Sequence, residues 1–193
     1  MIMLQFRVGP VPDNPDFDPI AEGWQRIREP GPVLVQIIGL PVGLLVCASL
    51  VGLLYLLWPG GSPTLSTWLT LVLLGGMIPA HELIHALTYP GGLSSSQTII
   101  GLWPSRVVAY AHYEGETSRN RLLLVFITPF VGLSLLPIIL LATVGWPSFE
   151  LALLAILNGA ASAGDLMSLF IIGQQIPSRA VVRNKGWRTY WRE

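Results

Sequence analysis

Charge is scarce in this chain, and so is cysteine. Asp, Glu, Lys and Arg make up 11% of the 193 residues, against about 25% in a soluble domain. With 52% hydrophobic residues and a mean hydropathy of +0.60, that shortage excludes an ordinary soluble domain and points to a one-domain polytopic membrane protein. The only cysteine, Cys47, excludes a disulfide framework within the chain and a cysteine-based metal site. Set in an apolar run, it reads as a small packing residue. The net charge is zero, and no basic run or aromatic platform suggests nucleic acid. The stretch Met1 to Arg7 lacks a basic region followed by a long apolar one, so it does not read as a signal peptide. There is no internal repeat.

Four long apolar runs are present. They extend from about Val33 to Trp58, Leu65 to Tyr89, Leu122 to Trp146 and Phe149 to Ile172. Each is long enough for a hydrocarbon core that needs about 20 residues. Trp58, Trp68, Trp103 and Trp146 fall near the expected interfaces, as in an aromatic belt. Residues 1–32 form a polar, Pro-rich segment whose Asp13-Asn-Pro-Asp-Phe-Asp-Pro19 is turn chemistry. Residues 33–172 form the four-helix domain, and residues 173–193 a basic and aromatic tail suited to an anionic inner leaflet.

Every Lys and Arg lies in one of three places: before run one, between runs two and three, or after run four. The other two loops, Pro59–Thr64 and Pro147–Ser148, have none. The positive-inside rule then puts both termini and the middle loop in the cytoplasm of a multi-pass protein, expected in a prokaryotic cell membrane.

Inside the runs the ionisable residues are His81, Glu82, His85 and Asp165, with Glu150 at the outer edge. His81-Glu-Leu-Ile-His85 places two imidazoles four residues apart, hence on one helix face. Runs two and four both enter from outside, and His81, His85 and Asp165 each lie about two-thirds along, so their depths are similar. Two His and one carboxylate with an open fourth position is the ligand count of a catalytic zinc site. Glu82, too near both His to be an easy third ligand, is placed as general base for a bound water. The bland alternative is a polar cluster that only joins helices.

Gly75, Gly76 and Pro79 precede His81, so the helix is expected to kink or restart there. Asn158 lies seven residues before Asp165 with a small-residue run between them. It is placed to hold substrate backbone, to support the site from behind, or to make an interhelical hydrogen bond. Ser162 and Ser168 read as local helix-backbone donors. Between runs two and three, residues 97–112 read as a short cytoplasmic-side β-hairpin around Pro104-Ser105. Its use would be to pair with an unwound substrate strand, or it is simply a surface hairpin. His112 reads as a surface histidine, and as the first replacement if Asp165 is not a ligand.

Three segments carry a resemblance: Pro79-Ala-His-Glu-Leu-Ile-His-Ala86, Arg121-Leu-Leu-Leu-Val-Phe-Ile-Thr-Pro-Phe130 and Asn158-Gly-Ala-Ala-Ser-Ala-Gly-Asp165, with a weaker echo at Gly186 and Tyr190-Trp191. They resemble a zincin-peptidase family of small multi-pass membrane proteins, formerly of unknown function and more distantly similar to site-2 intramembrane zinc metalloproteases. The resemblance implies zinc on His81 and His85, base catalysis by Glu82, and Asp165 as third ligand. Site-2 proteases usually carry Asn-x-x-Pro before their Asp and Gly after it. Here that Pro is absent and Leu166 follows Asp165.

The expectation is therefore an α-helical membrane protein of about four transmembrane helices. It would act as a zinc-dependent intramembrane metalloprotease on a membrane-protein substrate near the cytoplasmic face, with the lipid bilayer as its surroundings. The alternatives are a non-enzymatic metal or proton transporter, which needs a polar path to both sides, and a catalytically silent membrane scaffold. The outer halves of runs two and four offer few polar steps beyond Asn158, which disfavours transport. The sequence carries no signal for an oligomeric state.

Overall fold

The apolar runs become helices in the computed structural model, which describes residues 2–57, 66–144 and 148–193. Trp58, Trp146 and the loops at 59–64 and around Pro147 lie outside the described residues. Helix α1 spans Pro32–Leu57 and α2 spans Thr67–Thr88. Helix α3, Arg119–Phe130, passes through a π-helical turn at Val131–Leu135 into α4, Leu136–Val144. Helix α5 is Phe149–Ala161 and α6 is Ala163–Gln175. Among the described residues three spans are long and apolar enough to cross a membrane, and the bent α5–α6 pair makes a fourth if it is counted as one span. Of the 26 residues in α1 only Gly43 and Leu50 are buried, so nearly its whole apolar surface is unburied, as a lipid-facing helix requires.

Serine caps start α2, α3 and α5: Ser66, Ser118 and Ser148 each accept a backbone N–H through Oγ. Glu150, buried near the start of α5, accepts from the Ser66 N–H at 2.6 Å and so ties the starts of α2 and α5 together.

Of the two outcomes expected at Pro79, a restart does not occur, because α2 runs through it as one helix. One helical expectation is corrected. The fourth run is not one helix, because it bends by 46° at Ser162. Ser162 Oγ donates back to the Asn158 carbonyl at 2.9 Å, and Gly159 and Gly164 flank the break. Side chains that bond the i−4 carbonyl bend helices, and glycines lower the resistance to bending.

Small residues set the packing. Helix α1 lies on α5 and α6, while α2 lies on α3 and α5. A Cβ on Gly43 would come within 3.1 Å of the Ala160 carbonyl, and one on Gly159 would meet the Leu50 side chain. Gly159→Val should therefore force α1 and α5 apart and cost about 1–3 kcal/mol. A thermal-unfolding comparison in detergent should show a lower midpoint for the variant, and an unchanged midpoint would contradict this packing.

Strands occupy the end of the bundle where α1 begins and α2 ends. Strands β1 (Gln5–Val8), β3 (Thr98–Trp103) and β4 (Val108–Tyr113) form a sheet in the order β1-β3-β4. The expected hairpin is present, but it is extended by a parallel N-terminal strand, with Phe6 opposite Ile100. Gln36 Nε2 donates to the Arg106 carbonyl at 2.6 Å and fastens the hairpin tip to α1. A second sheet joins β2 (Gln25–Arg26), β5 (Thr117–Ser118), β6 (Val181–Lys185) and β7 (Arg188–Arg192) in the order β2-β7-β6-β5. The basic and aromatic tail is thus a folded hairpin joined to the N-terminal segment, not a free strip of charge. Its alternating residues bury Val182 and Thr189, while Arg183 and Arg192 lie over the Phe17 and Trp24 rings.

Candidate metal centre

His81 and His85, one turn apart on α2, direct their Nε2 atoms at each other across 3.2 Å. Asp165, in the first turn of α6, brings Oδ2 to 2.9 Å from His81 Nε2 and 3.3 Å from His85 Nε2. The bend at Ser162 aims the start of α6 at α2.

The remaining ring nitrogens settle the tautomers. His85 Nδ1 lies 2.9 Å from the Val125 carbonyl, which can only accept, so Nδ1 carries the proton. That carbonyl lacks its helical backbone donor because residue 129 is proline and has no N–H, and it accepts from the Thr128 hydroxyl at 3.0 Å as well as from His85. His81 Nδ1 lies 2.9 Å from Asn158 Oδ1. Asn158 Nδ2 is committed to the Pro129 carbonyl at 3.1 Å and to Ser134 Oγ at 2.9 Å, so the amide oxygen faces His81, which donates. Ser134 is in the π-helical turn, where the ordinary helix ladder is shifted and backbone acceptors become free.

With Nδ1 committed on both rings, each Nε2 is the atom left to face the Asp165 carboxylate oxygen, and in the neutral form the two Nε2 lone pairs converge with it on one point. A proton can bridge one pair of these atoms but not all three, whereas a metal ion satisfies all three. Ligands at zinc distances of about 2.0–2.2 Å in a tetrahedron stand about 3.3 Å apart, close to the 2.9, 3.2 and 3.3 Å found here. Among the described residues this is the group whose spacing suits a metal.

Glu82 is buried beside the pair, with its carboxylate next to the Ala111 backbone amide of β4. It contributes no atom to the triad. His112 is not in the triad either. It is buried on β4 rather than exposed, and burial together with the Arg7 charge lowers its pKa to about 4. Asn158 is wholly buried behind His81, with all its side-chain hydrogen bonds going to protein groups. It holds the His81 ring from behind, and the residue also lies on the cavity wall. The four groups around the site line one cavity of about 550 Å³, which α1, α2, α5, α6 and β4 enclose with the tail hairpin.

Residues 73–180, more than half of the chain, match the family described as "Putative zincin peptidase". The chain belongs to this family. Neither the curated proteins nor the solved structures compared gave a match. The zincin family implies a zinc cofactor, and the donor set of two neutral imidazoles and a carboxylate suits that ion. The matched region holds every residue of the triad together with Glu82, Val125, Pro129, Ser134 and Asn158.

The sequence alone did not expose Val125, Pro129 and Ser134 as supports of the site. The available signal was Thr128-Pro129 inside an otherwise unbroken apolar run, since a proline there must release a carbonyl one turn earlier. Asn158→Ala should weaken zinc binding by about 10–100-fold, the usual effect of losing a group that orients a ligand. Chelator competition would measure it, and unaltered affinity would remove Asn158 from this role.

His112 gives a pH test. Its folded pKa lies below the unfolded value, so as the pH falls from about 6.5 toward 4 the unfolded chain takes up a proton that the folded chain refuses. Stability should drop across that window by up to about 1.4 kcal/mol per pH unit. His112→Phe should gain in thermal midpoint over the natural chain as the pH falls from 7 to 5. A constant difference would contradict the burial argument.

Proposed function

We propose that this zincin-family chain is an intramembrane metalloprotease that hydrolyses peptide bonds of a membrane protein near the cytoplasmic face. The observation that carries this reading is the convergence of three lone-pair atoms, from His81, His85 and Asp165, beside a buried glutamate that is not one of them. Those three residues would hold zinc, which when bound lowers the pKa of a coordinated water toward about 7 and polarises a carbonyl. Glu82 is placed to take the proton of the attacking water and to pass it to the leaving amine. Asn158 and the Val125 carbonyl keep both imidazoles in the ligating tautomer.

Strand β4 suits the substrate. It is the edge of its sheet, and its Ala111 backbone is already used by Glu82 and by Tyr89 Oη, which donates to the carbonyl at 3.4 Å. Antiparallel pairing alternates bonded and open positions, so Ala109, two residues earlier, turns its N–H and C=O to the same open edge and lines the cavity. A peptide segment unwound from its helix would pair there by strand addition. Both termini, the sheets and the hairpin then lie on the cytoplasmic side, where the arginines and the lysine are gathered.

The test is cleavage in proteoliposomes of a mixture of single-span membrane peptides, read by mass spectrometry. Cuts near the cytoplasmic end, lost on zinc chelation and restored by added zinc, are expected. Intact peptides with a zinc-loaded chain would contradict the reading.

A further inference from the structure

The cavity that holds the metal site also reaches Glu29, Asn184, Trp187 and Thr189, at the start of α1 and along the tail hairpin. Its described lining contains three carboxylates, Glu29, Glu82 and Asp165, and no lysine or arginine. Glu82 and Asp165 belong to the metal site. Glu29 does not, and neither Glu29 nor Thr189 falls within residues 73–180.

The Glu29 carboxylate accepts from Thr189, at 2.6 Å from the backbone N–H and 3.0 Å from Oγ1. Each oxygen keeps a further lone pair. Among the described residues it makes no salt bridge. Arg188 is nearby, but its Nη1 donates to the Glu29 backbone carbonyl at 3.2 Å, not to the carboxylate. Burial raises the Glu29 pKa to about 7, against the Thr189 hydrogen bonds and the charges of Arg188 and Arg26. On the same wall, the buried Asn184 Oδ1 has no donor among the described residues. On the cavity side this half-buried carboxylate meets no cation in the described lining, and the neighbouring Arg188 and Arg26 offset its burial only in part, so a cation entering the cavity would be favoured there. An amide would also hold β7 against the start of α1, its oxygen accepting from the Thr189 N–H and its NH2 donating to the Thr189 hydroxyl, so this contact does not require a charge.

We infer that Glu29 is a cation subsite at the cytoplasmic end of the cavity, receiving a lysine or arginine side chain of the substrate. The inference rests on the proposed protease function and names the substrate class: membrane segments with a basic residue beside the cytoplasmic end. Such segments are common, because Lys and Arg collect at the cytoplasmic ends of membrane helices. With the scissile bond near His81 and Glu82, the flank that follows toward the cytoplasm extends to Glu29. A charge-assisted hydrogen bond there should change affinity about tenfold.

The test measures binding, with the full-length zinc-loaded chain carrying Glu82→Gln so that peptides stay whole. Dye-labelled Leu/Ala membrane peptides, identical except for a lysine, glutamine or aspartate cytoplasmic flank, are titrated in phosphatidylcholine vesicles, where the lipid itself attracts no charge. The lysine peptide should bind about tenfold more tightly than the glutamine peptide. Glu29→Gln should erase that preference and leave the glutamine peptide unchanged, and Glu29→Lys should favour the aspartate peptide. Equal binding of all flanks, or an equal loss for all flanks on Glu29→Gln, overturns the subsite; the first needs no variant to fold. Absence of binding by any peptide overturns it too. If peptides are cut by the natural chain without regard to flank, the protease reading stands and the subsite falls. Lysine-selective binding with no cleavage leaves the opposite result.

Discussion

Glu82→Gln should reduce peptide hydrolysis by about 10²–10⁴-fold, the range supplied by a general base, while zinc stoichiometry stays the same. The separation of the two effects follows from the geometry. The metal-facing atoms come from His81, His85 and Asp165, and Glu82 adds none. Glutamine keeps the shape of the buried side chain but cannot take a proton. Zinc content by mass spectrometry and cleavage in the same proteoliposomes would decide. Full activity in the variant would exclude Glu82 as base, and loss of zinc would make it a ligand.

Asp165→Asn should act on the metal instead. The carboxylate is the only anionic member of the triad, and it lies 2.9 and 3.3 Å from the two imidazole nitrogens. An amide leaves the ion's charge uncompensated in a buried site. The affinity loss should be at least the 10–100-fold typical of groups that only orient ligands, with hydrolysis falling in parallel and recovering partly in excess zinc. Chelator competition measures the first quantity and cleavage the second. A silent scaffold predicts no functional change from this substitution, so retained function would favour the scaffold.

The chemistry of the site was more legible in the sequence than its support. His81 and His85 share a helix face by spacing alone, with Glu82 beside them in sequence, and the depth of Asp165 follows from where each run begins. Those are local facts plus one topological rule. The bend at Ser162 was not legible, because a run of alanines and glycines permits both a straight helix and a broken one. Packing of α5 against α1 and α2, and of α6 against α1 and α3, makes the choice. The tautomer locks were hidden for a different reason. That Pro129 releases the Val125 carbonyl is a local consequence, but that His85 accepts the offer depends on α2 lying against α3. The sheets depend on contacts distant in sequence: β1 pairs with β3, and β2 with β7. Hydropathy marked both terminal segments as polar and carried nothing about what they pair with. Glu29 lies in one of those segments, and its place on the wall of the same cavity as the metal site depends on that long-range pairing.

X-ray absorption at the zinc edge of the purified natural chain tests the metal centre most directly. One zinc per chain is expected, with two imidazole nitrogens at about 2.0–2.1 Å and a carboxylate oxygen at about 2.0–2.2 Å. A chain that cannot be loaded with zinc, or a bound zinc whose shell lacks the two imidazoles, would contradict it.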